Sequence, residues 1–214
     1  MVETISILCS PPAKSKIGNL KSKIVEAWAR KNTRFILDPV VNAITKAGIS
    51  PNVLTFIGFL LNVVAGVLIG LGHVVWGGVV MTFVAMPMDA LDGALARATN
   101  RQSKFGAFFD SVLDRFAEAA LLMGLAAIFL QRGDSLSALV AFAAMVGSFM
   151  VSYTRARAEG LGLECKVGLF SRLGRFLLLA VGLILNQPVI TVWLLAILST
   201  LTAIQRMIYV SRTA

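Results

Sequence analysis

Four aspartates, Asp89, Asp92, Asp110 and Asp114, fall in the 26-residue stretch DALDGALARATNRQSKFGAFFDSVLD. Spacings of three and four put the members of each pair on one face of a helix. The stretch lies within and beside long apolar runs, where a carboxylate is expensive to keep. Four close anions repel unless cations neutralise them. An all-oxygen donor set with no His or Cys suits a hard divalent ion such as Mg²⁺ or Mn²⁺ rather than Zn²⁺. Magnesium held by carboxylates together with substrate phosphates is the usual arrangement of a phosphoryl-transfer site. A pair of such ions can stabilise both the attacking and the leaving oxygen. That chemistry also needs an acceptor hydroxyl and a base for its proton. Asp114, the furthest along its helix, is placed to face the acceptor. Gly93 and Ala96 lie on or beside the Asp89/Asp92 face, and Gly106 lies one turn before Asp110. Small residues there leave room for a ligand and also let helices approach closely. Arg97, at a helix end, suits either a phosphate or a neighbouring aspartate.

The rest of the chain must hold this cluster in place. Of 214 residues, 57% are hydrophobic and 14% charged, against roughly 45–50% and 25% in a soluble domain. The composition indicates an all-α integral membrane protein. Lys+Arg exceed Asp+Glu by 20 to 11, a net charge of +9. In a membrane protein that excess marks cytoplasmic loops and anionic headgroups, and nucleic acid is not an expected partner. Residues 1–17 read as a tail interrupted by Pro11-Pro12. Residues 18–47 read as a basic, amphipathic juxtamembrane helix with Trp28 at headgroup depth. Residues 48–214 read as the membrane domain. Its first span starts at Ser50-Pro51, a cap and first-turn pair, and ends near Leu71, with His73 in the turn. The others cover about 74–98, 105–131, 135–153 running on into TRARAE, 173–185 and 189–209. Roughly 20 residues cross the hydrocarbon, so six transmembrane helices fit. Asp89 and Asp92 close the second helix and Asp110 and Asp114 open the third, so the four acids converge at one end of the bundle. Arg101, Lys104, Arg155, Arg157, Lys166, Arg172, Arg175, Arg206 and Arg212 fall on that side, while Arg132 alone falls on the other. This bias places both termini and the acidic cluster on the cytoplasmic face of the cell membrane. Cys9 and Cys165 form no metal spacing and no disulfide framework.

The pattern Asp89-x2-Asp92-Gly93-x2-Ala96-Arg97-x8-Gly106-x3-Asp110-x3-Asp114 resembles, at every position, the signature of the CDP-alcohol phosphotransferase family. Eight fixed positions make it far more specific than a lone DxxD. The resemblance implies six transmembrane helices behind a juxtamembrane helix, and transfer from a CDP-linked lipid to an alcohol with release of CMP. It implies Mg²⁺ or Mn²⁺, as a pair of ions, on Asp89, Asp92, Asp110 and Asp114, with Asp114 also the general base. It implies a CDP-lipid pocket of Asp92, Gly93, Ala96, Arg97 and Gly106, joined by Thr55 from the Pro51-Asn52-x2-Thr55 element. It further implies a homodimer.

For the acceptor, Ser152-Tyr153-x-Arg155-Ala156-Arg157-Ala158-Glu159, Arg172-x2-Arg175 and the Asp114-Arg115 pair resemble the branch making phosphatidylinositol phosphate or its archaeal ether-lipid counterpart. The donor there is CDP-diacylglycerol or a CDP-archaeol-like lipid, and the acceptor is inositol 1-phosphate. Arg115, Arg155, Lys166 and Arg175 are then the acceptor-phosphate residues, a set that suits an anion but also fits positive-inside topology alone. The branch often has Arg-Pro-Glu-Arg where this chain has Arg172-Leu173-Gly174-Arg175. The alternative is a phosphatidylglycerophosphate synthase using glycerol 3-phosphate, against which stand Ser111 after Asp110 and Tyr153-Thr154-Arg155 near the fourth span. A cation channel or transporter is the distant alternative. It is disfavoured because the acids sit at one membrane end and no paired broken helices are evident.

Overall fold

The structure is a computed structural model that describes residues 39–165, 167–168 and 170–213. The tail at 1–17, most of the juxtamembrane segment at 18–47, and Lys166 lie outside the described residues. The chain divides into two units, 1–49 and 50–214. In the first, residues 39–46 are helical, with Thr45 Oγ1 donating to Val41 O.

In the second unit every regular element among the described residues is a helix. The helices are α1 (Pro51–Gly70), α2 (Val74–Ala98), α3 (Lys104–Gln131), α4 (Ser135–Gly160), α5 (Arg172–Ile184) and α6 (Pro188–Thr213). The starts follow local chemistry. Ser50 takes the extended cap conformation ahead of Pro51, although its side chain makes no capping bond. Ser103, Asp134 and Ser171 do cap, accepting from the backbone N–H of Gly106, Ser137 and Gly174. Such bonds satisfy amides that a helix start leaves without partners. Asn100 and Asn186 take positive φ, 52° and 54°, in the turns after α2 and α5, a conformation Asn tolerates better than most residues.

One feature of α2 departs from the expected continuous α-helix. Residues Met81–Ala85 form a π turn, in which the Met86 N–H bonds to Met81 O, five residues back. Pro87 follows immediately and has no N–H to give. The turn admits one extra residue between the Gly77/Gly78 face and the aspartates.

Short connections make successive helices antiparallel. The start of α1, the end of α2, the start of α3, the end of α4 and the start of α5 therefore share one end of the bundle. The apolar core lies toward the other end and includes Ile69, Met81, Leu121, Leu125, Phe129, Leu179, Leu183 and Leu195. Helices α1 and α3 touch backbone to backbone at Gly66 and Gly124, where a Cβ on either would strike the other strand of main chain. On α4 and α6, Ser148 and Ser199 hydroxyls lie 3.4 Å apart. Large apolar side chains such as Val67, Trp76, Phe83, Leu139 and Val181 face outward, as lipid-facing surface requires.

Four helices, α1, α2, α4 and α6, are long and apolar enough to cross a membrane. The chain is thus a helical membrane protein. The other two differ for identifiable reasons. Helix α3 carries Asp110, Asp114 and Arg115 in its first half and Glu118 at its middle. Helix α5 has 13 residues, about 20 Å of rise against roughly 30 Å of hydrocarbon.

Candidate active site

The carboxylates of Asp89, Asp92 and Asp110 converge, with ligand oxygens all within 4.8 Å of one another. The π turn and the following α-helical residues of α2 bring Asp89 and Asp92 to one face, and the Ser103 cap starts α3 two turns before Asp110. Thr55, one turn into α1, donates to Asp92 Oδ2 at 2.6 Å. That bond fixes the Asp92 rotamer, and Asp92 is itself buried. Asp110 Oδ1 is buried and makes no hydrogen bond. A buried carboxylate oxygen without a donor, facing two further carboxylates, is costly by itself and fits a divalent cation.

Asp114 is held differently. Its Oδ1 accepts from Arg172 Nη2, and its Oδ2 lies 3.5 Å from Arg115 Nη1. The same Arg172 Nη2 reaches Asp89 Oδ1 at 3.1 Å. One guanidinium from α5 thus bridges the two acidic helices. The Arg115 guanidinium also donates to Ser111 O, one turn back.

Two cavities meet at Asp92 and Thr55. The first, about 370 Å³, is lined by Pro51, Asn52, Thr55, Asp92, Gly93, Ala96, Arg97, Gly106 and Asp110, among others. It gathers all six residues expected for the CDP-lipid pocket. The Arg97 guanidinium lies beside Gly93, with Nη1 3.3 Å from where a Cβ would be. At Gly106 a Cβ would come within 3.0 Å of Ser103 Oγ and 3.3 Å of Asn52 Oδ1. The glycines therefore keep the floor of the groove at backbone height. The second cavity, about 120 Å³, holds Asp89, Asp92, Asp114 and Arg172 at one end and Phe59, Leu113 and Phe176 around it. Asn62, also in its wall, donates to Gly58 O, while its Oδ1 is buried without a partner.

Among the described residues, those expected to bind the acceptor phosphate, Arg115, Arg155 and Arg175, do not come together as a set. Arg115 stands beside Asp114. Arg155 is exposed on α4 and pairs with Glu159 one turn on, at 2.8 Å. Arg175 is only 2% exposed and is clasped by Glu118 through Nε at 2.7 Å and Nη2 at 3.1 Å. On α5 the arginine that reaches the carboxylates is Arg172, three residues earlier. Glu118 carries no motif of its own, but it lies four residues beyond Asp114 on the same helical face and so continues the acidic stripe. Arg206 on α6, also buried, donates to Val151 O and, at 2.9 Å, to Val167 O, tying the α4–α5 connection to the bundle.

The family model of the CDP-alcohol phosphatidyltransferases matches residues 48–204, which contain the whole site. The archaetidylinositol phosphate synthase of Pyrococcus horikoshii is 41% identical over 178 residues, covering 83% of this chain and 92% of that one. The crystal structure of Mycobacterium tuberculosis phosphatidylinositol phosphate synthase with CDP-DAG bound superposes with a TM-score of 0.77 at 29% identity, covering 82% of this chain and 93% of that one. The same enzyme in complex with manganese and citrate gives 0.76 at 28% identity, covering 80% and 87%. Three converging carboxylates, a glycine-floored groove beside them and this extent of likeness make the chain an enzyme of the CDP-alcohol phosphatidyltransferase family.

Proposed function

We propose that the protein transfers the phosphatidyl group, or its ether-lipid counterpart, from a CDP-linked lipid to inositol 1-phosphate and releases CMP. The observation that carries this reading is the placing of Arg172 and Arg115 against Asp114, with Arg172 and Asp114 in the wall of the cavity that meets the Arg97 groove at Asp92 and Thr55. One side offers an open groove with an arginine for the nucleotide diphosphate. The other offers guanidinium groups at Asp114, as a phosphorylated acceptor requires and a neutral one does not. The relatives support it, being named for phosphatidylinositol phosphate and archaetidylinositol phosphate synthesis.

In this reading Asp89, Asp92 and Asp110, with Asp114 as a further ligand, hold Mg²⁺ or Mn²⁺ as a pair of ions. Bound there, the ions neutralise charge on the pyrophosphate and on the departing CMP. The chain's own residues do the rest. Gly93, Ala96 and Gly106 admit the nucleotide, Arg97 meets its phosphates, and Thr55 keeps Asp92 aimed. Arg172 and Arg115 seat the acceptor phosphate so that a ring hydroxyl points at Asp114. Asp114 takes the hydroxyl proton as the oxygen bonds to the lipid-bearing phosphorus and the bond from that phosphorus to the CMP oxygen breaks. All six helices of the second unit span the membrane in this reading, with the acidic end cytoplasmic.

The test is CMP release by purified protein from CDP-diacylglycerol and its ether-lipid counterpart, with inositol 1-phosphate, glycerol 3-phosphate, inositol, glycerol and serine as acceptors. Turnover with inositol 1-phosphate that EDTA abolishes and Mn²⁺ or Mg²⁺ restores is the expected result. Preference for glycerol 3-phosphate would assign the phosphatidylglycerophosphate reaction instead. Asp114→Asn should retain CDP-lipid binding and lose turnover; full turnover would remove Asp114 as the base.

A further inference from the structure

Helices α3 and α5 are joined by two charged rungs. The outer rung is Arg172 with Asp114, extended to Asp89. The inner rung lies one turn deeper on both helices and is the two-bond clasp of Arg175 by Glu118. Both partners of the inner rung are 2% exposed, and neither lines the cavities that meet at Asp92. A guanidinium bound through two N–H groups to both oxygens of one carboxylate tolerates little sliding. Removing either partner would leave an uncompensated buried charge. The clasp therefore fixes where α5 sits along α3. Helix α5 depends on such a fix, because it has 13 residues and packs its backbone on the first half of α2 and on α6 rather than on α3.

We infer that Glu118 is a positioning residue for the acceptor site: by gripping Arg175 it sets the register of α5 and so holds the Arg172 guanidinium between Asp89 and Asp114. This rests on the reading of Arg172 as an acceptor-phosphate contact. Glu118 touches neither substrate in this arrangement and acts through the helix. Displacing α5 by a fraction of a turn withdraws Arg172 from the acceptor while leaving Thr55, Gly93, Arg97 and Gly106, all on other helices, in place.

The experiment uses the full chain in nanodiscs with the phosphorylated polyol that the acceptor panel selects. KM and kcat are measured for wild type, Glu118→Gln, Arg172→Gln and the double variant. Glu118→Gln should raise the acceptor KM by about tenfold, the worth of roughly one charge-assisted hydrogen bond. The KM for CDP-lipid should stay within about twofold of wild type, a change under about 0.4 kcal/mol. Added to Arg172→Gln, it should raise the acceptor KM hardly further, because both changes remove the same contact. Multiplicative effects, or an unchanged acceptor KM in folded Glu118→Gln, would overturn the inference. If Glu118→Gln fails to fold, Glu118→Gln/Arg175→Gln removes the lone buried charge and enters the same cycle with Arg172→Gln. Glu118→Asp, which keeps the charge but shortens the reach, should give an intermediate KM. Failure of wild type on every phosphorylated polyol would instead sink the functional reading, and the two failures are distinct.

Discussion

Arg172 neutralises two carboxylates, Asp89 and Asp114, at the edge of the site where a divalent ion is expected. A cation that close lowers the affinity of the carboxylates for another cation. Arg172→Gln is therefore expected to bind Mn²⁺ several-fold more tightly than wild type in calorimetric titration, while its acceptor KM rises. Weaker Mn²⁺ binding would mean that the guanidinium orients the ligands rather than competing with the ion. By contrast, Asp110→Asn should abolish Mn²⁺ binding in the same titration, since Asp110 Oδ1 has no other partner to serve. The two pairs of aspartates were legible in the sequence because spacings of three and four fix a helical face whatever the rest of the fold does. The Arg172 contacts were not, because 83 and 58 residues separate it from Asp89 and Asp114. Choosing between Arg172 and Arg175 required the rotation of α5 about its axis. Glu118 explains why the choice fell as it did: it captures Arg175 below the site and leaves Arg172 at its mouth.

Helix existence and order were legible from apolar runs and turn residues, and the expected helix limits lie within a few residues of those observed. The π turn in α2 was not, because a single inserted residue leaves no mark on an apolar run, and Pro87 alone is compatible with several kinks. Its effect on the site is geometric. In an α-helix one residue is worth about 100° of rotation and 1.5 Å of rise. Deleting Thr82, which lies in the π turn with its hydroxyl buried and without a partner, should restore α geometry and leave Asp89 and Asp92 facing Asp110, because the turn absorbs that one residue. The expected outcome is unchanged helix content by circular dichroism with Mn²⁺ binding retained. Loss of binding would show that the deletion rotates the aspartates by the roughly 100° of one residue. The Gly66–Gly124 contact makes a separate demand on α1 and α3. Gly124→Ala places a methyl against the Gly66 carbonyl and should cost about 1–3 kcal/mol as overpacking does, read as a lower unfolding midpoint in detergent. Because α1 carries Thr55 and α3 carries Asp110, the same variant should also weaken the Thr55–Asp92 alignment and raise the KM for CDP-lipid.

For the molecule as a whole, the question is which way the bundle faces. The acidic end carries Arg101 in the α2–α3 turn and Arg97, Lys104, Arg155, Arg157 and Arg172 at the adjoining helix ends. The opposite turns carry Arg132 as their one Lys or Arg among the described residues. Positive charge is retained on the cytoplasmic side during insertion, so the orientation we propose turns the acidic end toward the cytoplasm. Length is the harder matter. Helix α5 falls short of the hydrocarbon thickness by about 10 Å, and the first half of α3 is charged. Both deficits lie at the acidic end, where Asp110 and Asp114 lie about two and three turns inside α3 and Arg172 opens α5. A water-filled recess at that end reconciles the short helix with a spanning bundle, since polar groups at depth are tolerated where they line a cavity. Thiol labelling checks both the orientation and the recess, in a Cys9→Ser/Cys165→Ala background. A membrane-impermeant maleimide on intact cells should modify Arg132→Cys, between α3 and α4, and should reach Gln102→Cys, between α2 and α3, only after permeabilisation. Leu173→Cys, exposed beside Arg172 in the first turn of α5, should label as readily as Gln102→Cys once the membrane is opened if water fills the recess, and should stay unlabelled if lipid covers it. Labelling of Gln102→Cys in intact cells would invert the orientation and place the site outside.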